Sequence, residues 1–150
     1  MTAPRPRLVP ELNVSDLAAS LRFWRDILGF TVSYARPEQG FASIARDGVA
    51  FMLETYGAGP PERTHIWDTG PLERPFGRGI NFEITVDDVD VLLAALSQAG
   101  WSLFFGPEER WYRVDAEDAG VRQFLVQDPD GNLLRFSQPI GHRPATPSER

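Results

Sequence analysis

The side chains best suited to chemistry in this sequence are carboxylates at matching places in a repeat. Glu11 opens the segment ELNVSDL and Glu83 opens the equivalent segment EITVDDV, at a constant offset of 72 residues. Each segment runs from an alternating stretch into an apolar helical pattern. If the apolar residues of the first stretch pack beneath that helix, alternation turns Glu11 and Asn13 to the opposite face. Asn81 and Glu83 are placed alike in the second copy, so the two glutamates are predicted to line a cavity.

Arg135 is predicted to accompany these carboxylates, and two interpretations of the group are open. The first is recognition of the amines of a ligand. The second is a structural ion pair of Arg135 with Glu83 or Glu11, because buried charges are normally paired. Glu54, at a strand edge, is a lesser candidate for the same face.

Aromatic side chains supply a second kind of contact. Trp67, Trp111 and Tyr112 fall in irregular or inserted segments near acidic residues, whereas Trp24 has the helical spacing of a core residue. A tryptophan beside carboxylates can stack on a flat molecule while the carboxylates neutralise its amines. For Trp67 an alternative is that it anchors the long segment in which it lies.

The first copy of the repeat predicts the elements that position these residues. Apolar residues at helical spacing predict a helix over 17–28, and Gly29 stands where a helix end requires positive φ. Asp47 and Gly48 mark a hairpin turn. Strands are predicted at 7–14, 30–35, 40–45 and 49–55.

The second copy predicts the same pattern, with a helix that breaks at Gly100. Residues 106–120 are an acidic insertion relative to the first copy. The copy opens with residues 79–83, and strands are predicted near 101–105, 110–115, 121–127 and 132–138. The fold class is therefore α+β, with two tandem βαβββ modules forming a curved mixed sheet around a cavity.

These boundaries define the domain organisation as one domain of two modules. The Gly- and Pro-rich segment between the modules is long for a structureless loop, which suggests that it packs against something or has a function. The predicted parts are module one at about 7–56, a linker at about 57–78, module two at about 79–138 and a flexible tail at 141–150.

Composition limits the partners of the 150-residue chain. The net charge of −6 repels phosphate backbones, so nucleic acid is not an expected partner. There are no cysteines, which excludes disulfides, thiolate metal sites and a cysteine nucleophile. No apolar run is long enough to span a bilayer, so we expect no membrane partner and a cytoplasmic location.

Two segments carry a resemblance to a known family. VSDLAASLRFWRDILGF at 14–30 and FLVQDPDGNLLRF at 124–136 resemble the opening and closing signatures of the vicinal oxygen chelate superfamily, which is also called the glyoxalase/bleomycin resistance/dioxygenase superfamily. Within it, the chain is most similar to the bleomycin-resistance proteins. The resemblance extends over about 7–140. It implies paired βαβββ modules around a cavity, commonly in a homodimer with binding sites at or near the subunit interface.

The resemblance also implies where a metal would lie. Enzymes of the superfamily usually hold a divalent cation with His, Gln and Glu side chains. In this sequence the equivalent places carry residues that are poor ligands for such cations: Val9, Met52, Asn81 and Arg135. The two histidines, His65 in the linker and His142 in the tail, belong to neither ligand strand. We therefore predict no metal and no cofactor.

The sequence as a whole favours a metal-free, dimeric binding protein that sequesters a cationic, partly planar small molecule, as bleomycin-resistance proteins do. The alternatives are a lyase, isomerase or dioxygenase of the same superfamily, with Glu11 or Glu83 as base or an atypical metal site, and a protein that uses the fold only for association.

Overall fold

The computed structural model describes residues 4–145 and residue 147, and the chain forms two compact units. Unit 1 comprises the chain up to Arg78 together with the turn Asp128–Gly131. Unit 2 comprises Gly79–Gln127 and the chain from Asn132 onward. The predicted linker at 57–78 thus belongs to unit 1, where it contains neither helix nor strand.

Unit 1 is a βαβββ module with one four-stranded mixed sheet. Its strands lie in the order β1-β4-β3-β2, with β1 parallel to β4 and the other pairs antiparallel. Its elements are β1 (Glu11–Val14), α1 (Leu17–Leu21), a π-helical segment (Arg22–Ile27), β2 (Thr31–Arg36), a 3-10 turn (Pro37–Gln39), β3 (Phe41–Arg46) and β4 (Val49–Thr55).

The helix of unit 1 confirms the predicted span, although its second half is π-helical. The Asp16 carboxylate accepts a hydrogen bond from a backbone N–H three residues on, and Gly29, with φ of 78°, ends the helix. The fully buried Trp24 ring packs 5.1 Å from the Phe30 centroid and 4.9 Å from that of Phe51. The helix therefore covers one face of the sheet and leaves the other face free.

Unit 2 repeats this topology with longer strands. The strand order is β5-β8-β7-β6, and β5 is parallel to β8. Its elements are β5 (Asn81–Thr85), α2 (Val89–Gln98), β6 (Phe105–Val114), β7 (Glu117–Gln127) and β8 (Leu133–Pro144). The predicted α+β class and the two tandem modules are confirmed.

The repeat also holds at the level of strand register. Glu11 on β1 is paired with Met52 on β4, and Glu83 on β5 is paired with Arg135 on β8. The first strand and the last strand of each unit therefore pair at equivalent residues.

The strand predictions were wrong at the edges of the elements. The first strand begins at Glu11 rather than residue 7, and no separate strand forms at 101–105, because β6 begins at Phe105. The insertion predicted at 106–120 lengthens the β6–β7 hairpin and does not form an irregular loop.

The tail prediction was wrong for its first residues. Residues 141–144 belong to β8, where cross-strand pairing with β7 continues as far as Glu117 opposite Pro144. Residues 146 and 148–150 of the predicted tail lie outside the described residues.

No helix in the described part of the chain is both long and apolar enough to cross a membrane.

Candidate functional site

An open pocket of about 240 Å³ lies on the face of the unit 1 sheet that the helix leaves free. Side chains from all four strands, from the 3-10 turn and from the 57–78 segment meet there. The lining residues are Glu11, Arg36, Gln39, Phe41, Glu54, Pro60, Arg63 and Trp67. We call this space the unit 1 pocket.

Two carboxyl groups lie side by side in the unit 1 pocket. Glu11 on β1 and Glu54 on β4 are close enough for a hydrogen bond between their side chains, which forms when Glu11 holds a proton. Partial removal from water, the hydrogen bond to Glu54 and the charge of Glu54 raise the pKa of Glu11 to about 7, and the charge of Arg36 opposes the shift. Glu11 can therefore accept or release a proton near neutral pH.

One row of side chains crosses the sheet beneath this pocket. The register pairs Asn13 with Glu54, Glu54 with Phe41, and Phe41 with Arg36. Residues directly opposite one another on neighbouring strands point to the same face. The row thus runs from a polar and acidic side through an aromatic ring to a basic side.

The arginine at the end of this row lies over the ring of its aromatic neighbour. The Arg36 guanidinium is 4.0 Å from the centroid of the Phe41 ring, and its Nε donates a hydrogen bond to Gln39 at 3.0 Å. Among the described residues, Arg36 forms no ion pair within 4 Å. The Phe41 ring therefore carries a planar cation on its face, and no carboxylate of the described residues pairs with that cation.

The 57–78 segment supplies the opposite wall of the pocket. The Thr64 hydroxyl donates to the carbonyl oxygens of Gly59 and Pro60, which fixes the turn that carries Arg63 and Trp67. The Arg63 guanidinium lies 5.5 Å from the Trp67 centroid. Trp67 is 63% exposed, so its ring is accessible from the pocket.

A smaller cleft adjoins the unit 1 pocket and shares three of its residues. Asn13 lines it together with a cluster in which His65 Nδ1 lies 2.6 Å from Asp68 Oδ2. The Tyr56 hydroxyl also bonds to Asp68, and the combination of partial desolvation and this carboxylate raises the pKa of Tyr56. His65 therefore lies in a loop, as expected, and is held by a carboxylate there.

The buried carboxylate of Asp130 fastens the 57–78 segment to the rest of unit 1. It accepts hydrogen bonds from the backbone N–H of Ser15 at 3.0 Å, the Ser15 hydroxyl at 2.6 Å and the Arg74 guanidinium at 2.8 Å. The backbone N–H of Phe76 donates to the Asp130 carbonyl. The turn Asp128–Gly131 thus holds the far end of the segment that carries Trp67.

Three predicted site residues form a cluster within unit 2. Arg135 Nε donates to Asn81 Oδ1 at 3.2 Å, and a terminal nitrogen of Arg135 lies 3.3 Å from Glu83 Oε2. The interpretation of Arg135 as an ion-pair partner of Glu83 therefore describes the observed geometry.

The two aromatic residues of the predicted insertion pack within the β6–β7 hairpin. Trp111 stands opposite Gly120, where any side chain would collide with its ring, and Arg143 lies 4.1 Å from its centroid. The Tyr112 hydroxyl accepts a hydrogen bond from Gln123 Nε2 at 2.7 Å. Both rings already have intramolecular partners.

Within unit 1, the structure brings together Glu11, Asn13 and Trp67 of the predicted site residues. Sequence reasoning missed Arg36 and Phe41 as their neighbours. Alternation along β3 would have found Phe41, whereas the predicted second strand ended before Arg36 and β2 contains a register shift between Val32 and Tyr34.

The residues at the expected metal-ligand places do not suit a divalent cation. Met52 offers a thioether that lies 3.6 Å from the guanidinium of Arg5, Arg135 is itself a cation, and Val9 has no donor. Among the described residues, no group of three or more His, Asp or Glu side chains is placed to hold a metal. We therefore assign no chemistry to a metal.

Comparison with known proteins shows what the chain is similar to. Virulence protein STM3117 of Salmonella typhimurium is 25% identical over 127 residues, which are 85% of this chain and 79% of that protein. Its crystal structure superposes with a TM-score of 0.63 over 93% of this chain and 100% of that one, at 22% identity.

Two further solved structures share the fold. TioX from Micromonospora sp. ML1 has a TM-score of 0.65 at 20% identity over 92% of this chain and 100% of its own. TnmS3, an antibiotic binding protein from Streptomyces sp. CB03234, has a TM-score of 0.59 at 21% identity over 93% of this chain and 99% of its own. The profile of one protein family matches residues 7–136, and by that match the chain belongs to the glyoxalase/bleomycin resistance protein/dioxygenase superfamily.

Proposed function

We propose that this protein binds and sequesters a cationic, partly planar small molecule, and that the unit 1 pocket is its binding site. The observation that carries the proposal is the placement of the Glu11–Glu54 carboxyl pair beside two aromatic rings in one open pocket. A carboxylate pair attracts an amine or amidine, and the exposed Trp67 ring can stack on the flat part of the same molecule.

The arginines of the pocket support the aromatic half of this proposal. Arg36 and Arg63 each rest on a ring face, Phe41 and Trp67 respectively. These guanidinium groups are planar cations, so the two faces already accommodate the kind of group that we propose for the ligand. The antibiotic-binding protein with the same fold gives a further reason to test a drug as the ligand.

Calorimetry with bleomycin, a drug with a planar heteroaromatic tail and positive charge, tests the proposal. Glu54→Gln should weaken binding about tenfold because it removes one charge from the pair, and Trp67→Ala should weaken it similarly through lost stacking. Binding should also weaken as salt rises.

Two neighbouring substitutions serve as matched controls. Glu38→Gln removes an exposed carboxylate just outside the pocket, and Ile66→Ala truncates the residue next to Trp67. Both should leave the affinity within about twofold of the wild type. Absence of heat and of tryptophan quenching at high micromolar bleomycin would eliminate that drug as the ligand. Equal losses in the controls and the pocket variants would eliminate the pocket.

A proton-transfer enzyme is the second candidate, and the state of Glu11 is the observation in its favour. A carboxyl group with a pKa of about 7 can act as a general base at neutral pH. Glu83, ion-paired with Arg135, is less suited to that task. Under this candidate Glu11→Gln would abolish turnover of a bound substrate while leaving its binding intact, whereas under the first it weakens binding.

A further inference from the structure

The basic side of the unit 1 pocket has no role in binding a simple cation. Arg36 and Arg63 both line the pocket, and within the described residues neither forms an ion pair. Two guanidinium groups beside the binding position would repel a ligand that carried positive charge alone. Their presence therefore calls for a complementary group on the ligand.

The geometry of the row shows where that group would lie. Glu54, Phe41 and Arg36 stand opposite one another on β4, β3 and β2. Neighbouring strands are about 4.8 Å apart, so the backbones at Glu54 and Arg36 are separated by roughly 10 Å, and the Arg36 guanidinium reaches back over the Phe41 ring toward the carboxyl groups. That spacing matches a flat ring that carries charged groups at its two ends.

We infer that the ligand of the unit 1 pocket is amphoteric: its amine or amidine faces Glu11 and Glu54, and an anionic group on the opposite end of its planar part faces Arg36 and Arg63. This inference rests on the proposed function and narrows the ligand from a flat cation to a flat molecule of both charges. A carboxylate, sulfate or phosphate would meet the planar guanidinium groups in the paired geometry that arginine favours.

Three probes built on one ring separate the two charges: benzylamine, benzoate and 4-(aminomethyl)benzoate. In calorimetric titrations of the wild type, 4-(aminomethyl)benzoate should bind at least about tenfold more tightly than benzylamine or benzoate. In the Arg36→Met variant, 4-(aminomethyl)benzoate should bind at most about twofold more tightly than benzylamine, since its carboxylate then loses its partner.

Arg46→Met is the matched control for the arginine. It lies on β3 of the same sheet but alternates to the opposite face from Phe41, so the preference for the amphoteric probe should remain. Circular dichroism of both variants shows whether each keeps its fold. Loss of the preference in the folded Arg46 variant as well would overturn the assignment to Arg36.

The probe results distinguish this inference from the proposed function. Equal affinity for benzylamine and 4-(aminomethyl)benzoate overturns the amphoteric ligand and leaves the cation site standing. Equal affinity for benzoate and 4-(aminomethyl)benzoate, without binding of benzylamine, overturns the cation site itself. Absence of binding by all three probes up to about 10 mM overturns both.

Discussion

At the scale of single residues, the proposed binding depends on the neighbouring carboxyl groups of Glu11 and Glu54. Glu11 and Glu54 come from different strands, and their contact exists only because β1 lies parallel to β4 in the observed register. A cation that binds between them would displace the proton of Glu11. Its affinity should therefore rise as the pH rises through about 7.

The same proton makes stability depend on pH. In the unfolded chain Glu11 ionises near its ordinary pKa of 4.5, whereas the folded protein holds the proton to about 7. The folded state thus binds more protons across this window, and stability falls as pH rises from about 4.5 to about 7. Glu11→Gln should remove this fall and gain about 1 kcal/mol at high pH, a figure reduced for the partial exposure of Glu11.

Urea unfolding at about pH 5 and about pH 8 measures this difference. Glu38→Gln, at an exposed site, is the control, and its free energy of unfolding should change with pH as it does in the wild type. If the free energy of unfolding of Glu11→Gln still fell with pH as in the wild type, the raised pKa assigned to Glu11 would be contradicted.

At the scale of elements, the repeat in the sequence predicted the features that depend on local residues. The helix of unit 1, the Asp47-Gly48 hairpin and the matched first strands follow from apolar periodicity and turn residues that are local in the chain. The partnership of Glu11 with Glu54 and the row through Phe41 to Arg36 depend on strand register, which is set by contacts distant in sequence. The β6–β7 hairpin was predicted only in part, as strands at 110–115 and 121–127, because the charged residues beside these strands are typical of a loop.

The two repeated turns differ in what surrounds them, and this difference can be measured. Gly48 and Gly131 are repeat mates with φ of 83° and 95°. A methyl group at Gly48 meets open space, whereas at Gly131 it collides with the Pro75 side chain and approaches its Cα to 2.7 Å. Gly48→Ala should therefore cost about 1 kcal/mol from backbone strain alone.

Gly131→Ala should cost at least about 2 kcal/mol more, because the crowding at Pro75 adds to the same strain. Chemical denaturation of both variants compares the two free energies of unfolding. Equal losses would show that the Asp128–Gly131 turn does not pack against the 57–78 segment as described.

At the scale of the whole molecule, we predict a homodimer. Each four-stranded sheet leaves two edge strands, and on the β6 edge Phe105 and Val114 are both more than half exposed. An unpaired edge with exposed apolar side chains is a surface that a second copy can cover. Sedimentation equilibrium at micromolar concentration should give twice the chain mass of 16.8 kDa.

A charged residue introduced on the β6 edge tests whether that edge forms the dimer interface. Val114→Lys should shift the protein toward monomer, whereas Val91→Lys, equally exposed but on α2, should leave the dimer intact. A wild type of single-chain mass would contradict the dimer, and dissociation by both substitutions would contradict the β6 edge.

The placement of the binding site in unit 1 can be tested directly from the indole N–H resonances of the four tryptophans. Trp24 is fully buried, the Trp101 indole donates to the Gln127 carbonyl, Trp111 packs on Gly120, and Trp67 lines the unit 1 pocket. During titration of ¹⁵N-labelled protein with bleomycin, the Trp67 indole and the backbone amides of β1 and β4 should shift together, while the Trp111 indole stays in place. Movement of the Trp111 indole with an unchanged Trp67 indole would contradict the account.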